Sequence, residues 1–146
     1  MTAHHFAHAP CAIGRLRPDG PWVGFAAEAG GYRFVVGIND ALTSSAADSD
    51  LLLALAIAYF TEAFDEAPPE FEATQADLSA LVGELTQRET DPETRRLLRE
   101  ALDAIDDGLA GDAVAGRLAA ARAPRTEPTD PIELLRMRAT ELAGRS

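Results

Sequence analysis

Residues 51–60 read LLLALAIAYF, a run of ten apolar and aromatic side chains that decides the fold. Ten residues are half of the roughly 20 that a helix needs to cross a bilayer, so we expect no membrane span. Helical spacing continues to about Phe64 and ends before Pro68-Pro69, because the residue before a proline disfavours the helical conformation. A helix that is apolar on every side either lies at the centre of its domain or turns half its surface toward another chain.

Upstream of this run, the chain has the turn signals and alternation of an antiparallel meander. Strands are expected over residues 11–17, Trp22–Glu28 and Tyr32–Ile38, separated by a Pro-Asp-Gly turn and a Gly-Gly turn. Alternation in the third strand places Phe34 on one face and Val35 on the other. Three strands are not stable alone, so one face of this sheet needs a helical cover.

The connection to the apolar run, residues 39–50, is polar and small, which predicts a linker that carries the first helix cap. The next helix is expected to start at Thr74, where Thr74 and Asp77 have the spacing of a capping box.

Two later helices are predicted by the same start signal, a Thr-Asp pair followed by proline at the first helical position, at Pro92 and at Pro131. Gly108 and Gly111 interrupt the apolar spacing after Pro92. We nevertheless expect the helix to run through them, with the neighbouring aspartates on its solvated side.

These elements predict a single α+β domain over residues 1–146, with an N-terminal three-stranded antiparallel meander followed by four to five α-helices. Within it we expect a His-rich tail at residues 1–10, the meander at 11–38 and a helical part at 48–146. Residues 124–129 are predicted to be a linker inside the helical part.

The charge of the chain is strongly negative and unevenly distributed. It has 24 acidic residues and 13 arginines, with no lysine, for a net charge of -11. Residues 41–93 hold twelve acids and one arginine, so the whole imbalance lies there. A field of that sign repels phosphates and favours a basic partner, so we expect no direct binding of nucleic acid.

Catalytic motifs are missing from the sequence. It contains no phosphate loop, dinucleotide fingerprint or nucleophile elbow, and without lysine it cannot form a Schiff base. We therefore expect a protein that is not an enzyme and needs no cofactor. Its single cysteine and the lack of an apolar core in residues 1–10 predict a cytoplasmic location.

One cluster near the start could bind a metal. His4, His8 and Cys11 lie within eight residues, and imidazole and thiolate are the preferred ligands of zinc. The cluster has no second half elsewhere in the sequence, so the competing interpretation is a tail without a metal. Metal binding or sensing through zinc stays an alternative function.

The leading hypothesis is a non-enzymatic protein-interaction module, such as an adaptor, a small chaperone or an inhibitor, built on the apolar helix and the acidic segment after it. A partner protein, or a second copy of this chain, would cover apolar surface while carboxylates select its charge. Ordinary core packing and solubilising charge explain the same residues equally well, and mimicry of nucleic acid is a third alternative. The predicted apolar contacts and charged rim are Leu52, Leu55, Tyr59 and Phe60, with Glu62, Asp65, Glu66, Glu70 and Glu72.

Overall fold

The computed structural model describes residues 12–16, 20–28, 31–38, 41–64, 73–122 and 130–144. Within these ranges a four-stranded sheet precedes five helices, which confirms the α+β class. The predicted tail at 1–10 and linker at 124–129 lie outside the described residues. The strands are β1 (Ala12–Arg15), β2 (Trp22–Glu28), β3 (Gly31–Ile38) and β4 (Ala41–Ala46). The helices are α1 (Ser49–Phe60), α2 (Gln75–Arg88), α3 (Pro92–Asp106), α4 (Gly111–Arg122) and α5 (Pro131–Ala143).

The sheet is antiparallel, with its strands in sequence order and apolar side chains on both faces. Phe25 lies opposite Phe34, and both belong to the main core beneath the helices. Val35 belongs instead to a small cluster with Ile13 and Ala26 on the other face. The alternation predicted for β3 is therefore confirmed.

Strand β4 corrects the predicted meander of three strands. Its sequence, ALTSSA, predicts a linker, yet it pairs with β3 along all six residues, from Ala41 opposite Ile38 to Ala46 opposite Arg33. The Arg33 Nε donates a hydrogen bond to Ser44 Oγ at 3.1 Å. Strand formation here depends on pairing with a neighbour rather than on an apolar pattern of its own. Only two residues separate β3 from β4, a length typical of a hairpin.

Helix α1 lies at the centre of the domain. All eight residues from Leu51 to Ala58 are buried, and they form one core with the inner face of the sheet. Helices α2, α4 and α5 pack against α1 from the other sides. Of the two placements expected for an all-apolar helix, the central one is confirmed for these eight residues.

The predicted helix starts are confirmed where cap chemistry defines them. Thr74 accepts a hydrogen bond from the Asp77 N–H at 3.0 Å, and Asp77 accepts one from the Thr74 N–H at 3.0 Å, a complete capping box. Asp91 caps α3 by accepting from the Thr94 N–H at 2.9 Å. Asp130 occupies the cap position of α5, ahead of its first-turn proline, but its side chain makes no capping hydrogen bond.

The helix expected to run through Gly108 ends there instead. Gly108 has a φ of 73°, a left-handed conformation that glycine adopts without steric cost. Its N–H donates to the Ile105 carbonyl at 3.1 Å, and the Leu109 N–H donates to the Ala104 carbonyl at 3.0 Å. These two bonds form a Schellman motif, which satisfies the last carbonyls of α3 and lets the chain turn into α4.

Helices α1 and α4 run antiparallel and are joined at both ends. Arg122, at the end of α4, is almost fully buried, and its Nε lies 3.0 Å from Asp50 Oδ1 in the first turn of α1. At the opposite end, a Cβ added to Gly111 would lie only 2.4 Å from the Phe60 carbonyl oxygen. The start of α4 therefore contacts the end of α1 through its backbone.

We predict that Gly111→Ala destabilises the protein by about 1–3 kcal/mol, because the new methyl group would displace one helix end from the other. Gly116→Ala is the matched control in α4, since a Cβ there meets no atom within 4 Å. The control should gain about 0.5–1 kcal/mol from helix propensity. Urea unfolding measures both variants, and equal changes would contradict the close contact.

Arg96 forms two exposed ion pairs on α3, one with Glu93 and one with Glu100. Its hydrogen bond to Glu93 lowers the pKa of that carboxyl below the ordinary value of 4.5. The folded protein therefore binds this proton less readily than the unfolded chain. The stabilisation from Glu93 is present above its unfolded pKa and is lost as the pH falls through its folded pKa.

We predict that Arg96→Gln raises the pKa of Glu93 toward its ordinary value. Carboxyl chemical shifts followed by NMR during an acid titration would measure the change. Arg99→Gln, on the same helix, is the control and should leave the titration of Glu93 unchanged. A Glu93 titration that is the same in Arg96→Gln and in the unaltered protein would contradict the assigned cause.

Candidate functional site

Helix α1 ends in a Schellman motif that has glutamate where glycine is usual. The Glu62 N–H donates to the Tyr59 carbonyl at 3.4 Å, and the Ala63 N–H donates to the Ala58 carbonyl at 3.0 Å. Glu62 has a φ of 54°, the one positive φ among the non-glycine residues that the structure describes. A left-handed conformation costs an L-residue about 1–2 kcal/mol.

The end of α3 gives an internal comparison for this motif. The same two hydrogen bonds occur there, with Gly108 in the position that Glu62 occupies in α1. One chain thus builds the same turn twice, once with the residue that suits it and once with a residue under strain. Strained backbone positions cluster at functional sites, so Glu62 makes this helix end a candidate functional site.

Half-buried aromatic side chains surround the same helix end. The rings of Tyr59 and Phe64 lie 4.6 Å apart between centroids, tilted by 35°. Phe25 contacts Tyr59 edge to face at 5.9 Å and Tyr32 at 5.8 Å, so the cluster extends from α1 onto the sheet. Phe60 is also half-buried. We call the residues Tyr32, Tyr59, Phe60, Glu62 and Phe64 the α1 end site.

Most described carboxylates of the acidic middle third already have partners inside the protein. Asp50 pairs with Arg122, and Asp48 lies 3.7 Å from Arg138, so arginines of the last third neutralise part of the imbalance. Helix caps, backbone bonds and pairs within one helix engage the rest of this group, which comprises Asp77, Glu84, Glu89, Asp91 and Glu93.

Glu62 differs from those seven carboxylates. It is exposed, and within the described residues its side chain forms no hydrogen bond or ion pair. Its charge is therefore available to a partner. The four other acids of the predicted rim, Asp65, Glu66, Glu70 and Glu72, lie outside the described residues.

The apolar half of the predicted contact surface needs a correction. Leu52 and Leu55 are both 0% exposed, so neither can touch a partner of the folded protein. The sheet and three helices surround α1, so its apolar residues on every side serve the core of this chain. Tyr59 and Phe60, one turn further on, are half-buried and remain candidates.

The metal hypothesis concerns residues outside the described ranges, since His4, His8 and Cys11 all precede Ala12. Within the described part of the chain, no group of three or more histidine, cysteine, aspartate or glutamate side chains is placed to hold a metal ion. No helix in that part is long and apolar enough to cross a membrane.

Sequence reasoning missed Tyr32 and Phe64 as members of this site and the conformation of Glu62. Tyr32 lies two residues before Phe34 and therefore shares its face of β3, but no sequence signal placed that strand end beside the end of α1. The expected helix extended to Phe64, because the residues after Phe60 include no glycine to indicate a left-handed turn.

We predict that Glu62→Gly stabilises the protein by about 0.5–1 kcal/mol, since the relief of left-handed strain exceeds the extra unfolded-state entropy of glycine. Gly108→Ala, in the equivalent position of α3, should destabilise by about 1 kcal/mol. Urea unfolding midpoints measure both changes. A destabilised Glu62→Gly variant would show that the glutamate conformation carries no strain.

The candidate site therefore combines one strained, exposed carboxylate with half-buried aromatic rings at the point where the central helix reaches the surface. Carboxylate oxygens accept hydrogen bonds from cations, and aromatic faces attract them through their quadrupole. No known protein family, curated protein or solved structure was found to match this chain.

Proposed function

We propose that this protein is a non-enzymatic protein-interaction module that binds a basic partner at the α1 end site. The observation that carries the proposal concerns Glu62. Its carboxylate has no internal partner among the described residues, and its backbone has a left-handed conformation that is unfavourable for a residue other than glycine. A glycine there would be more stable, as the equivalent turn at Gly108 illustrates. We therefore assign the Glu62 side chain a role in binding, since it does not serve the stability of the fold.

The surroundings of Glu62 fit recognition of a cationic side chain. Tyr59 and Phe64 lie three residues before and two residues after it, and both residues are half-buried, so each can be fixed by packing and remain partly accessible. A guanidinium or ammonium group can contact an aromatic face and a carboxylate at once. Rigid aromatic side chains also lose little conformational entropy on binding, which favours them as anchors.

The acidic composition supports the same class of partner. Residues 65–72 follow the site in the sequence and add Asp65, Glu66, Glu70 and Glu72 without any arginine. Together with a net charge of -11, they favour association with a positively charged protein segment and oppose nucleic acid. We therefore propose an arginine- or lysine-rich segment as the partner, with the protein acting as an adaptor, a small chaperone or an inhibitor.

The non-enzymatic part of the proposal rests on residue types. The chain has no lysine, and its three histidines and single cysteine lie within the first eleven residues. Acid–base or nucleophilic chemistry in the rest of the chain would have to use carboxylates, hydroxyls and arginine alone.

The test uses a short arginine-rich peptide with a fluorescent label, titrated with the intact protein and followed by fluorescence anisotropy. We predict that Glu62→Gln weakens binding about threefold to fivefold, the loss of roughly 1 kcal/mol expected for one exposed charge pair. Glutamine retains the left-handed strain, so this variant changes the charge without relieving the backbone.

Glu141→Gln is the control, because Glu141 is an exposed acid in α5, near the opposite end of α1. It removes the same charge from the whole protein and should change the affinity by less than twofold at about 0.15 M salt, where the Debye length is about 8 Å. If both variants lost the same affinity for the peptide, overall charge alone would explain the binding. That result would contradict a defined site.

A further inference from the structure

A cavity of about 250 Å³ lies between the described residues that flank the β1–β2 connection and the second half of helix α5. Its apolar walls are formed by Leu16, Pro21, Val23 and Ala139. Val23 and Ala139 are each 1% exposed, so the floor of the cavity is continuous with the main core. The cavity is partly open to solvent, so a ligand could reach this apolar floor from outside.

Arg136 and Thr140 give one side of this cavity a polar character. Arg136 uses Nη1 to donate to Glu133 at 3.1 Å, an exposed contact within α5. A guanidinium has five N–H donors, so most of those on Arg136 are left over for a ligand. Thr140 Oγ1 donates its proton to the Arg136 carbonyl oxygen at 2.9 Å, so toward the cavity its hydroxyl acts as an acceptor.

We propose that this cavity binds a small monocarboxylate with an apolar body, a molecule of about the size of phenylacetate. The carboxylate would bind the Arg136 guanidinium, and the apolar body would contact the walls that Leu16, Val23 and Ala139 form. An apolar cavity of about 150 Å³ holds a benzene ring in a different protein. The space available here therefore fits one ring with a short acidic side chain.

Two features select a carboxylate over other anions. Planar guanidinium groups match the two oxygens of a carboxylate in a bidentate geometry. Arg136 is the only cation lining the described part of the cavity, and the whole chain carries a charge of -11, which opposes a doubly charged phosphate ester. A monoanion with most of its surface apolar meets both conditions.

This inference does not depend on the proposed binding of a basic partner. The cavity is formed by the start of the sheet and α5, whereas the α1 end site is formed by residues 59–64 and the start of β3. A failure of either proposal leaves the other unaffected. Peptide binding and carboxylate binding can also be measured separately on the same purified protein.

The experiment titrates the intact protein with phenylacetate and follows backbone amide shifts by NMR. Acetate, which lacks the ring, and 2-phenylethanol, which lacks the charge, serve as comparison ligands. We expect saturable binding of phenylacetate, with the largest shifts at Leu16, Val23, Ala139 and Thr140. Each comparison ligand should bind at least about tenfold more weakly, since each loses one of the two recognised groups.

Arg136→Gln should weaken phenylacetate at least about tenfold, the loss expected for a charge-assisted hydrogen bond, while leaving 2-phenylethanol unchanged. Arg138→Gln is the matched control on the same helix, because Arg138 pairs with Asp48 and does not line the cavity. Both arginines are exposed, so neither variant should impair folding. The proposal is overturned if phenylacetate binding is not saturable, if the shifts lie elsewhere, or if both variants lose affinity equally.

Discussion

Complete burial of helix α1 is the constraint on which the rest of the structure depends. Because residues 51–58 have no polar face, every direction around the helix axis must be covered by apolar surface. The inner face of the sheet covers one side, and α2, α4 and α5 cover the others. Polar chemistry is thereby confined to the two ends of the helix. Asp48 and Asp50 pair with arginines at one end, and Glu62 faces solvent at the other.

Elements with strong local signals were predictable from the sequence. Strand β2 has the predicted bounds, and Thr74 and Asp91 cap helices where their spacing indicated. Strand β4 was not predictable in this way, because a polar edge strand is specified by its neighbour and its own residues read as a linker. Gly108 was ambiguous for another reason. A glycine weakens the interior of a helix but suits the left-handed turn that ends one, and the sequence alone does not show which of these positions Gly108 occupies.

The candidate site was only partly predictable. Tyr59, Phe60 and Glu62 lie together at the surface, whereas Leu52 and Leu55 lie in the core, because an all-apolar sequence does not indicate which part of a helix emerges. Charge gave a second false impression. Asp50 and Arg122 are 72 residues apart in sequence, so the net charge of a sequence segment does not reveal that they form a pair. Among the described acids of residues 41–93, Glu62 is the one left without such a partner.

The double attachment of α4 to α1 has a consequence for recognition. A salt bridge links the two helices at one end, and their backbones are in close contact at the other, so the position of α4 against α1 is fixed at two points. Movement of the α1 end toward α4 would bring its backbone into the start of that helix. The proposed partner would meet described side chains that are already held in place, so little of the association free energy would be spent on ordering them. Such a surface favours lock-and-key binding over folding upon binding.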